Sequence, residues 1–526
     1  MNMGHGSRPP SGRGLVIDRD NSCIAPDALT ALAVLYVALP SLIFFGGWLK
    51  LPYAVIAVAL IGLSLVQWIG RSVPVWTQPY SRGAVAAVLV TGFAWASLGG
   101  AGHFVFANSD WFVRDTVLAD LTLTPWPPSY GDPGGAPHIL RTAFGYFFPP
   151  ALAAKWLGLS TLDMAAYLWT AAGSTLFLLL LPLPKKPGIA LFGALLIAVF
   201  FSGMDYLGIV LLTGTTPIFP LRLEWWVPFS YPSLTGQLYW GPNHALPLWI
   251  ATALFYRHWG TRHLWTLFFT LLPMLFLWTP FAVPALAPFL MLAAWRCWRS
   301  GESASIVFPT AIQIVTATAS TYLLVRLFSI GASHIGGAPT MEVTPIKESL
   351  YDFTVKYLLF ILMEFVILAL LIGRRVRHSR SLLLLSVALL CLLPLYQYGP
   401  SNDSMLRLST PCLVILMILT LDVVVLAPLR PGNRGVLPRI PWYIVAVLAI
   451  GACTPFNEMW RGATFHRRPP NYGQDLVEQQ QGFEPPHYIG RLDRPDLRLL
   501  LKTPQPVPDA RTRRAQGLPP PFSRPR

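Results

Sequence analysis

Three aspartates and one arginine stand within eleven residues of a mostly apolar chain, in the stretch "FANSDWFVRDTVLADL" at 106–121. Asp110 precedes Arg114 by four residues, so in a helix the two side chains would pair on one face. A carboxylate placed there at a membrane surface is suited to act as a general base or a metal ligand. The simpler interpretation is that these charges solvate an interfacial helix capped by Asn108 or Ser109. Both interpretations stay open.

Asp205 and His244 are polar residues in or beside later apolar runs. Asp205 lies in "VFFSGMDYLG", where a lone carboxylate is costly and needs a wet cavity or a partner. An interhelical hydrogen bond is the ordinary alternative. The stretch 221–247 carries Glu224 and, in "GPNHALP", His244, which is suited to binding phosphate or to moving a proton. An aromatic belt explains the tryptophans around them equally well.

A third polar stretch, "YQYGPSNDSMLRLSTP" at 396–411, contains Asp403 and Arg407. Asn402, Asp403 and Ser404 are suited to capping the helix that follows. Arg407 lies about one helical turn into an apolar segment, so it requires a carboxylate or a lipid phosphate as a partner. A guanidinium fits phosphate because it is always charged and binds two oxygens at once.

The composition indicates the class of protein that positions these residues. The chain has 526 residues, of which 54% are hydrophobic and 12% charged, and the apolar residues form runs of about 20, enough to cross a bilayer. The net charge of +15 lies largely in short loops, which is typical of membrane topology rather than of nucleic-acid binding. The five cysteines lack the spacing of a disulfide framework or a thiolate metal site.

The apolar runs predict an all-α, polytopic transmembrane helical bundle with about 13 spans, between about 11 and 14 being compatible with the pattern. The predicted spans are 29–48, 51–70, 83–106, 161–183, 187–212, 243–256, 263–279, 281–296, 304–328, 354–373, 381–397, 405–428 and 441–456.

The distribution of lysine and arginine predicts the orientation of the bundle, because these residues collect in cytoplasmic loops. It places the N-terminus in the cytoplasm and the long loops 107–160, 213–242 and 329–353 outside. We expect interfacial helices within 139–158, with Tyr146, Phe147, Phe148 and Trp156 at headgroup depth.

Three regions are predicted along the chain. Residues 1–28 are expected to form a disordered cytoplasmic arm, 29–456 the transmembrane domain, and 457–526 an Arg/Pro-rich tail that is extracytoplasmic. All the candidate residues then lie at the extracytoplasmic face of the membrane.

In this architecture, with an acid directly after a span and a long first external loop, the chain resembles the C-type (GT-C) polytopic glycosyltransferases that use polyprenyl-phosphate sugars. The resemblance implies that Asp110 is the base that deprotonates the acceptor and Asp115 a second catalytic carboxylate. It implies that Arg407 or His244 contacts the lipid phosphate. The two acids are five residues apart, whereas the family has a neighbouring acidic pair.

The leading functional hypothesis is therefore sugar transfer from a polyprenyl phosphate to an acceptor at the extracytoplasmic face of a bacterial inner membrane. A transporter or flippase of lipid-linked or small polar cargo, an envelope polysaccharide polymerase or ligase, and a non-catalytic scaffold are the alternatives. Expected partners are a lipid-linked sugar donor and membrane lipids, and no nucleic acid; the sequence does not indicate a divalent metal, and both the need for one and the oligomeric state stay open. Besides the catalytic Asp110 and Asp115, the expected substrate-binding residues are Arg114, Asp205, Glu224, His244, Asp403 and Arg407.

Overall fold

The computed structural model describes most of the chain, and the predicted arm lies outside the described residues apart from its last one. The described residues are 28–70, 80–131, 136–141, 143–220, 222–261, 263–300, 308–330, 341–344, 349–376, 379–398, 402–429, 441–479 and 488–518.

This part of the chain is mostly helical. The α-helices are α1 (Ala28–Trp48), α2 (Leu51–Gly70), α3 (Arg82–Ser97), α4 (Trp111–Leu123), α5 (Phe148–Leu157), α6 (Leu162–Leu180), α7 (Ile189–Val199), α8 (Asp205–Thr213), α9 (Leu234–Trp240), α10 (Pro242–Arg257), α11 (Leu264–Trp278), α12 (Ala282–Ser300), α13 (Ala311–Phe328), α14 (Leu350–Ile361), α15 (Ile367–Gly373), α16 (Arg380–Leu392), α17 (Asp403–Leu408), α18 (Thr410–Leu421), α19 (Ala427–Leu429), α20 (Trp442–Gly451), α21 (Cys453–Thr464), α22 (Leu476–Gln479), α23 (Pro495–Leu500) and α24 (Ala510–Ala515). Short 3₁₀ turns cover Gly145–Phe147, Leu159–Thr161 and Leu393–Leu395, and π-helical turns cover Leu362–Val366 and Asp422–Leu426.

Seven helical stretches in the described residues are long and apolar enough to cross a membrane, as judged by length and composition. A bilayer core needs about 20 helical residues. Each of the predicted spans contains a helix, but several are shorter than this, so the number of thirteen stays a prediction. The seven are Ala28–Trp48, Leu51–Ile69, Leu159–Leu180, Ala311–Phe328, Leu350–Gly373, Asp403–Leu429 and Trp442–Thr464.

The predicted span 187–212 is interrupted rather than continuous. Helix α7 ends at Val199 and α8 begins at Asp205. The Met204 amide donates a hydrogen bond to the carbonyl of Met363, 3.1 Å away in another helix. A backbone group freed by a break inside a bundle needs such a partner, because no water is available to replace the helical bond.

The loops group at two opposite ends of the bundle. At one end, the Ser81 amide bonds to the Lys185 carbonyl (2.9 Å), and Arg296 Nη1 donates to Ser381 Oγ (2.8 Å). At the other end, the Lys50 amide bonds to the Leu500 carbonyl (2.9 Å). The loops predicted to be cytoplasmic thus meet at the first end; which end faces the cytoplasm stays a prediction.

A small sheet that the all-α prediction did not include covers the second end. Its strands are β1 (Pro128–Ser129), β2 (His138–Leu140), β5 (Ile489–Arg491) and β6 (Gln505–Pro506), in the order β5-β2-β1-β6. A separate pair joins β3 (Met341–Val343) to β4 (Tyr396–Tyr398). The first sheet joins the segment between α4 and α5 to the C-terminal segment, so these two regions lie at the same end of the bundle.

Most of the aromatic residues that were expected at headgroup depth in the first long loop are instead buried. Tyr146, Phe147 and Phe148 are buried inside the protein, and only Trp156, which is 83% exposed, is available to the headgroup region. Tyr146 hydrogen-bonds to Thr170 Oγ1 at 2.7 Å. The rings pack inside the bundle because a protein interior offers both dispersion contacts and a partner for the hydroxyl.

Candidate functional site

Five of the predicted site residues meet at the end of the bundle that carries the sheet: Asp110, Arg114, His244, Asp403 and Arg407, here called the Arg-Asp cluster. Asp110 immediately precedes α4 and Arg114 lies within it, His244 lies in the first turn of α10, and Asp403 and Arg407 lie in α17. They converge because each lies near one end of an apolar segment, on the same side of the bundle.

Asn108 fixes the start of α4 against the neighbouring helix α9. Its Oδ1 accepts from the Asp110 amide at 3.1 Å, and its Nδ2 donates to the Tyr239 carbonyl at 2.7 Å. The predicted cap at Asn108 or Ser109 is wrong, because the N-cap residue of α4 is Asp110; Asn108 instead ties the segment before α4 to α9. Asp110 itself makes no capping hydrogen bond with its side chain, which leaves its carboxylate for other partners.

Arg114 is the most buried charge of the Arg-Asp cluster, with a side chain only 9% exposed. Its Nη2 donates to Asp110 Oδ2 at 3.3 Å and to the Trp240 carbonyl. Its Nη1 is buried and has no hydrogen-bond partner among the described residues. A buried neutral donor without a partner costs about 1–3 kcal/mol, and a charged donor costs more. A hydrogen-bond acceptor supplied by a ligand would relieve this cost.

Arg407 approaches the same place from α17. Its Nη2 lies 3.8 Å from Asp403 Oδ1, and its Nε is buried without a partner in the described part of the chain. A Cβ added to Gly241 would lie 2.7 Å from Arg407 Nη1. Any larger residue at position 241 would therefore displace the guanidinium. Arg407 also interacts electrostatically with Asp110 and Arg114.

His244 completes the cluster from α10. Its Nδ1 lies 2.8 Å from Thr279 Oγ1, and the ring contacts Phe281. The residue interacts electrostatically with both Arg407 and Arg114. The Thr279 hydroxyl holds the orientation of the imidazole ring through this contact.

The arrangement combines two cations with a reachable base. The Asp110 side chain is 46% exposed, whereas donors of both arginines are buried beside it. Buried guanidinium donors hold a phosphate strongly because the low local dielectric strengthens the charge-assisted hydrogen bonds. The cluster is thus chemically suited to hold a phosphate while a carboxylate faces a second, water-soluble reactant.

Asp115 does not join this cluster, because it points to another face of α4. Its Oδ2 lies 3.2 Å from His103 Nε2 and accepts from the Asn471 amide at 2.9 Å. His103 Nδ1 lies 3.2 Å from Asp163 Oδ1. Although burial alone would lower the pKa of His103, Asp115 and Asp163 raise it to about 10. These contacts favour a structural role for Asp115, and no pattern in the sequence pointed to its partner His103.

Asp205 and Glu224 lie in a second group of buried carboxylates, here called the acid cluster, with Glu364 and Glu458. Asp205 accepts from Trp226 Nε1 at 3.1 Å and Thr454 Oγ1 at 2.7 Å, and it interacts with Glu364. Glu224 Oε1 accepts from the amide and hydroxyl of Ser233, at 3.0 and 2.8 Å.

Glu364 and Glu458 are acid-cluster members that the sequence analysis missed. Glu364 stands alone in the apolar run "LLFILMEFVILALLIG", which is the same signal that singled out Asp205. Glu458 lies just beyond the last predicted span, in the region that was predicted as the tail. It accepts from Trp240 Nε1 at 2.9 Å, and the Trp240 carbonyl binds Arg114, so Trp240 lies between the two clusters.

Within the described residues, no group of three or more His, Cys, Asp or Glu side chains is arranged to hold a metal ion. Neither a protein-family model, a curated protein nor a solved structure matches the chain. Function is therefore inferred from the chemistry of the two clusters, since a fold alone does not fix an activity.

Proposed function

We propose that the protein is a membrane glycosyltransferase that transfers a sugar from a polyprenyl-phosphate donor to an acceptor hydroxyl at the extracytoplasmic face. The observation that carries the proposal is the pairing of two buried, incompletely partnered arginines with one half-exposed carboxylate. Arg114 Nη1 and Arg407 Nε lack hydrogen-bond partners among the described residues, and Asp110 lies 3.3 Å from Arg114.

Asp110 and the two arginines have different roles in the proposed reaction. Asp110 accepts the proton of the acceptor hydroxyl, whose oxygen then attacks the anomeric carbon of the donor sugar. The bond between that carbon and the phosphate oxygen breaks, and its electron pair leaves with the polyprenyl phosphate. Arg114 and Arg407 stabilise the charge that develops on this leaving group.

The depth of Arg407 suits a lipid-linked donor. It stands one turn into the candidate span Asp403–Leu429, where an arginine in lipid is costly unless it meets a counter-charge. A phosphate attached to a polyprenyl chain supplies that charge at headgroup depth while the chain stays among apolar helices. A soluble nucleotide-sugar donor has no need of arginines at this level.

Asp110→Asn tests the base. We expect the purified variant in nanodiscs to lose transfer of labelled sugar from a polyprenyl-phosphate donor by a factor of about 10² or more, while it still binds the donor. Asp493→Asn is the matched control, because Asp493 is an exposed carboxylate at the same end of the bundle. Full transfer by Asp110→Asn would rule out the assigned base.

A transporter or flippase is the second candidate, and the acid cluster is the observation that favours it. Asp205 and Glu364 are buried, and Glu364 lies inside the candidate span Leu350–Gly373; such intramembrane acids often line an ion or proton pathway. Glu364→Gln separates the candidates. A transporter would lose uptake into proteoliposomes with Glu364→Gln and keep it with Asp110→Asn, whereas the transferase predicts no uptake by the unmodified protein.

A further inference from the structure

Tyr488 lies beside the Arg-Asp cluster. It belongs to the C-terminal segment and is far in sequence from the members of the cluster. Its carbonyl accepts from the Arg141 amide at 3.0 Å, and Arg141 Nε donates to the carbonyl of the next residue, Ile489, at 3.0 Å. Ile489 then begins β5, which pairs with β2. The backbone at Tyr488 is thus fixed by the sheet that covers this end of the bundle.

A tight backbone approach sets the position of this strand. A Cβ added to Gly490 would lie 2.6 Å from the Ile330 carbonyl oxygen, so glycine allows β5 to lie against the end of α13. Arg141 Nη1 also donates to the Phe328 carbonyl at 3.3 Å. Arg141 therefore joins the C-terminal segment to the bundle directly beside Tyr488.

Tyr488 lies within electrostatic reach of the Arg-Asp cluster. It interacts electrostatically with Arg114, Asp110, Asp403 and Arg407, four of the five members. Two of these are the cations that bind the phosphate in the proposed reaction. A phenol at this position supplies one further neutral donor beside two charged ones.

We infer that Tyr488 is a substrate-binding residue whose hydroxyl donates a hydrogen bond to the donor phosphate held between Arg114 and Arg407. The inference rests on the proposed function and extends it, because it makes the C-terminal segment a part of the donor site. Burial raises the pKa of Tyr488 above its usual value, so the hydroxyl keeps its proton at neutral pH and remains a donor.

The test compares Tyr488→Phe with the unmodified full-length protein in nanodiscs. Binding of a C20 polyprenyl monophosphate and of the corresponding C20 alcohol is measured by titration, and the ratio of the two dissociation constants gives the preference for phosphate. A hydrogen bond to a charged group is worth about tenfold or more in affinity. We expect Tyr488→Phe to lower the phosphate preference by about tenfold and to leave alcohol binding unchanged. Tyr351→Phe, which removes the hydroxyl of an exposed tyrosine, is expected to change neither.

Arg407→Gln distinguishes failure of this inference from failure of the proposed function. If Arg407→Gln lowers the phosphate preference but Tyr488→Phe does not, the role of Tyr488 is overturned and the donor site remains. If Tyr488→Phe weakens phosphate and alcohol equally, Tyr488 acts on the fold and the role is likewise overturned. If neither variant changes the preference, the proposed donor site fails together with the inference.

Discussion

Asp120 in α4 and Arg513 in α24 form an ion pair in which both side chains are fully buried, although 393 residues separate them in the chain. Asp120 Oδ2 also accepts from the Tyr130 hydroxyl at 2.9 Å. Arg513 Nη1 donates to the carbonyls of Tyr472 and Gln474, at 3.1 and 2.8 Å. The C-terminal segment is thus fastened to the first long loop by a satisfied, buried charge pair.

Removing the cation of this pair is expected to loosen the C-terminal segment. Arg513→Met leaves Asp120 buried without its counter-charge, a change that costs about 3–5 kcal/mol in buried pairs. We expect a lower unfolding temperature and faster proteolysis after α21. Arg514→Met is the matched control, because Arg514 is exposed in the same helix. Equal stability of the two variants would show that the pair does not fasten the segment.

The loss of stability in Arg513→Met is expected to depend on pH. Burial raises the pKa of Asp120 to about 6 even though Arg513 opposes the shift. A folded-state pKa above the unfolded value means that the folded protein holds the proton more tightly, so stability falls as pH rises through this range. Without Arg513 the pKa rises further, and the stability gap between Arg513→Met and the unmodified protein should widen from pH 5 to pH 8. A gap that stays constant across this range would contradict the expectation.

His103 is expected to stabilise the fold as a cation between Asp115 and Asp163. With a pKa raised to about 10, its contribution is complete below about pH 6.5 and is lost as the pH rises through about 10. His103→Asn should lower the free energy of unfolding at pH 7 by about 3–5 kcal/mol and flatten the loss of stability between pH 7 and 10. Asparagine tolerates the positive φ of 54° at this position better than most residues, so backbone strain is not the cause.

A second substitution tests the electrostatic origin of that loss. Asp115→Asn in the His103→Asn background removes one of the carboxylates left without a cation. It should recover part of the lost stability, since coupled sites are not additive. Additive losses in chemical denaturation of the single and double variants would instead point to packing.

Glu224 is expected to make the protein less stable as the pH rises toward 8. Burial, assisted by the neighbouring Glu458 and Asp205, raises the pKa of Glu224 to about 8 from an ordinary 4.5. The folded state therefore keeps a proton that the unfolded state releases, and stability falls between these two pH values by at most about 1.4 kcal/mol per unit. Glu224→Gln keeps an oxygen that accepts from Ser233 and should flatten the curve of unfolding temperature against pH. The exposed control Asp493→Asn should leave the curve unchanged.

The sequence predicted the convergence of Asp110, Arg114, His244, Asp403 and Arg407 because each stands beside an apolar segment that ends on the same side. Counting segments and basic loops is enough to place such residues at one end of a bundle. It was not enough to show that Asp205 and Glu224 lie in a separate group, the acid cluster. The Asp205 partners Thr454 and Glu364 come from helices whose relative rotation depends on side-chain packing rather than on hydropathy.

No pattern of apolar segments or basic loops indicated that the C-terminal segment packs against the first long loop. Residues 457–526 were predicted as a tail beginning at 457, whereas α21 runs from Cys453 to Thr464 across that boundary. Strands of two or three residues, such as β5 and β6, are too short to show alternation. Their pairing with β1 and β2 spans more than 300 residues, so Tyr488 and Arg513 were found only through the fold.

Cysteine labelling tests which end of the bundle faces outward. Cysteines introduced at Thr215 and Ala515 should react with a membrane-impermeant maleimide added outside, and those at Lys186 and Arg375 should react only after permeabilisation. All four positions are exposed in the protein. The basic residues of the short loops give this orientation. The reverse pattern would move the Arg-Asp cluster to the cytoplasm and would exclude an extracytoplasmic transferase.

Gly241 offers a way to move Arg407 without removing a charge. A Cβ at this position would lie 2.7 Å from Arg407 Nη1, and the end of a flexible side chain shifts at little cost to folding. Gly241 has a φ of −159°, which lies outside the left-handed region that favours glycine. Gly241→Ala should therefore keep its unfolding temperature while donor transfer falls by about tenfold or more, because displacement of a positioning group by about 1 Å is enough to slow catalysis. Gly62→Ala, where a Cβ meets nothing within 4 Å, is the control. Unchanged transfer by Gly241→Ala would mean that the present position of the Arg407 guanidinium does not matter for the reaction.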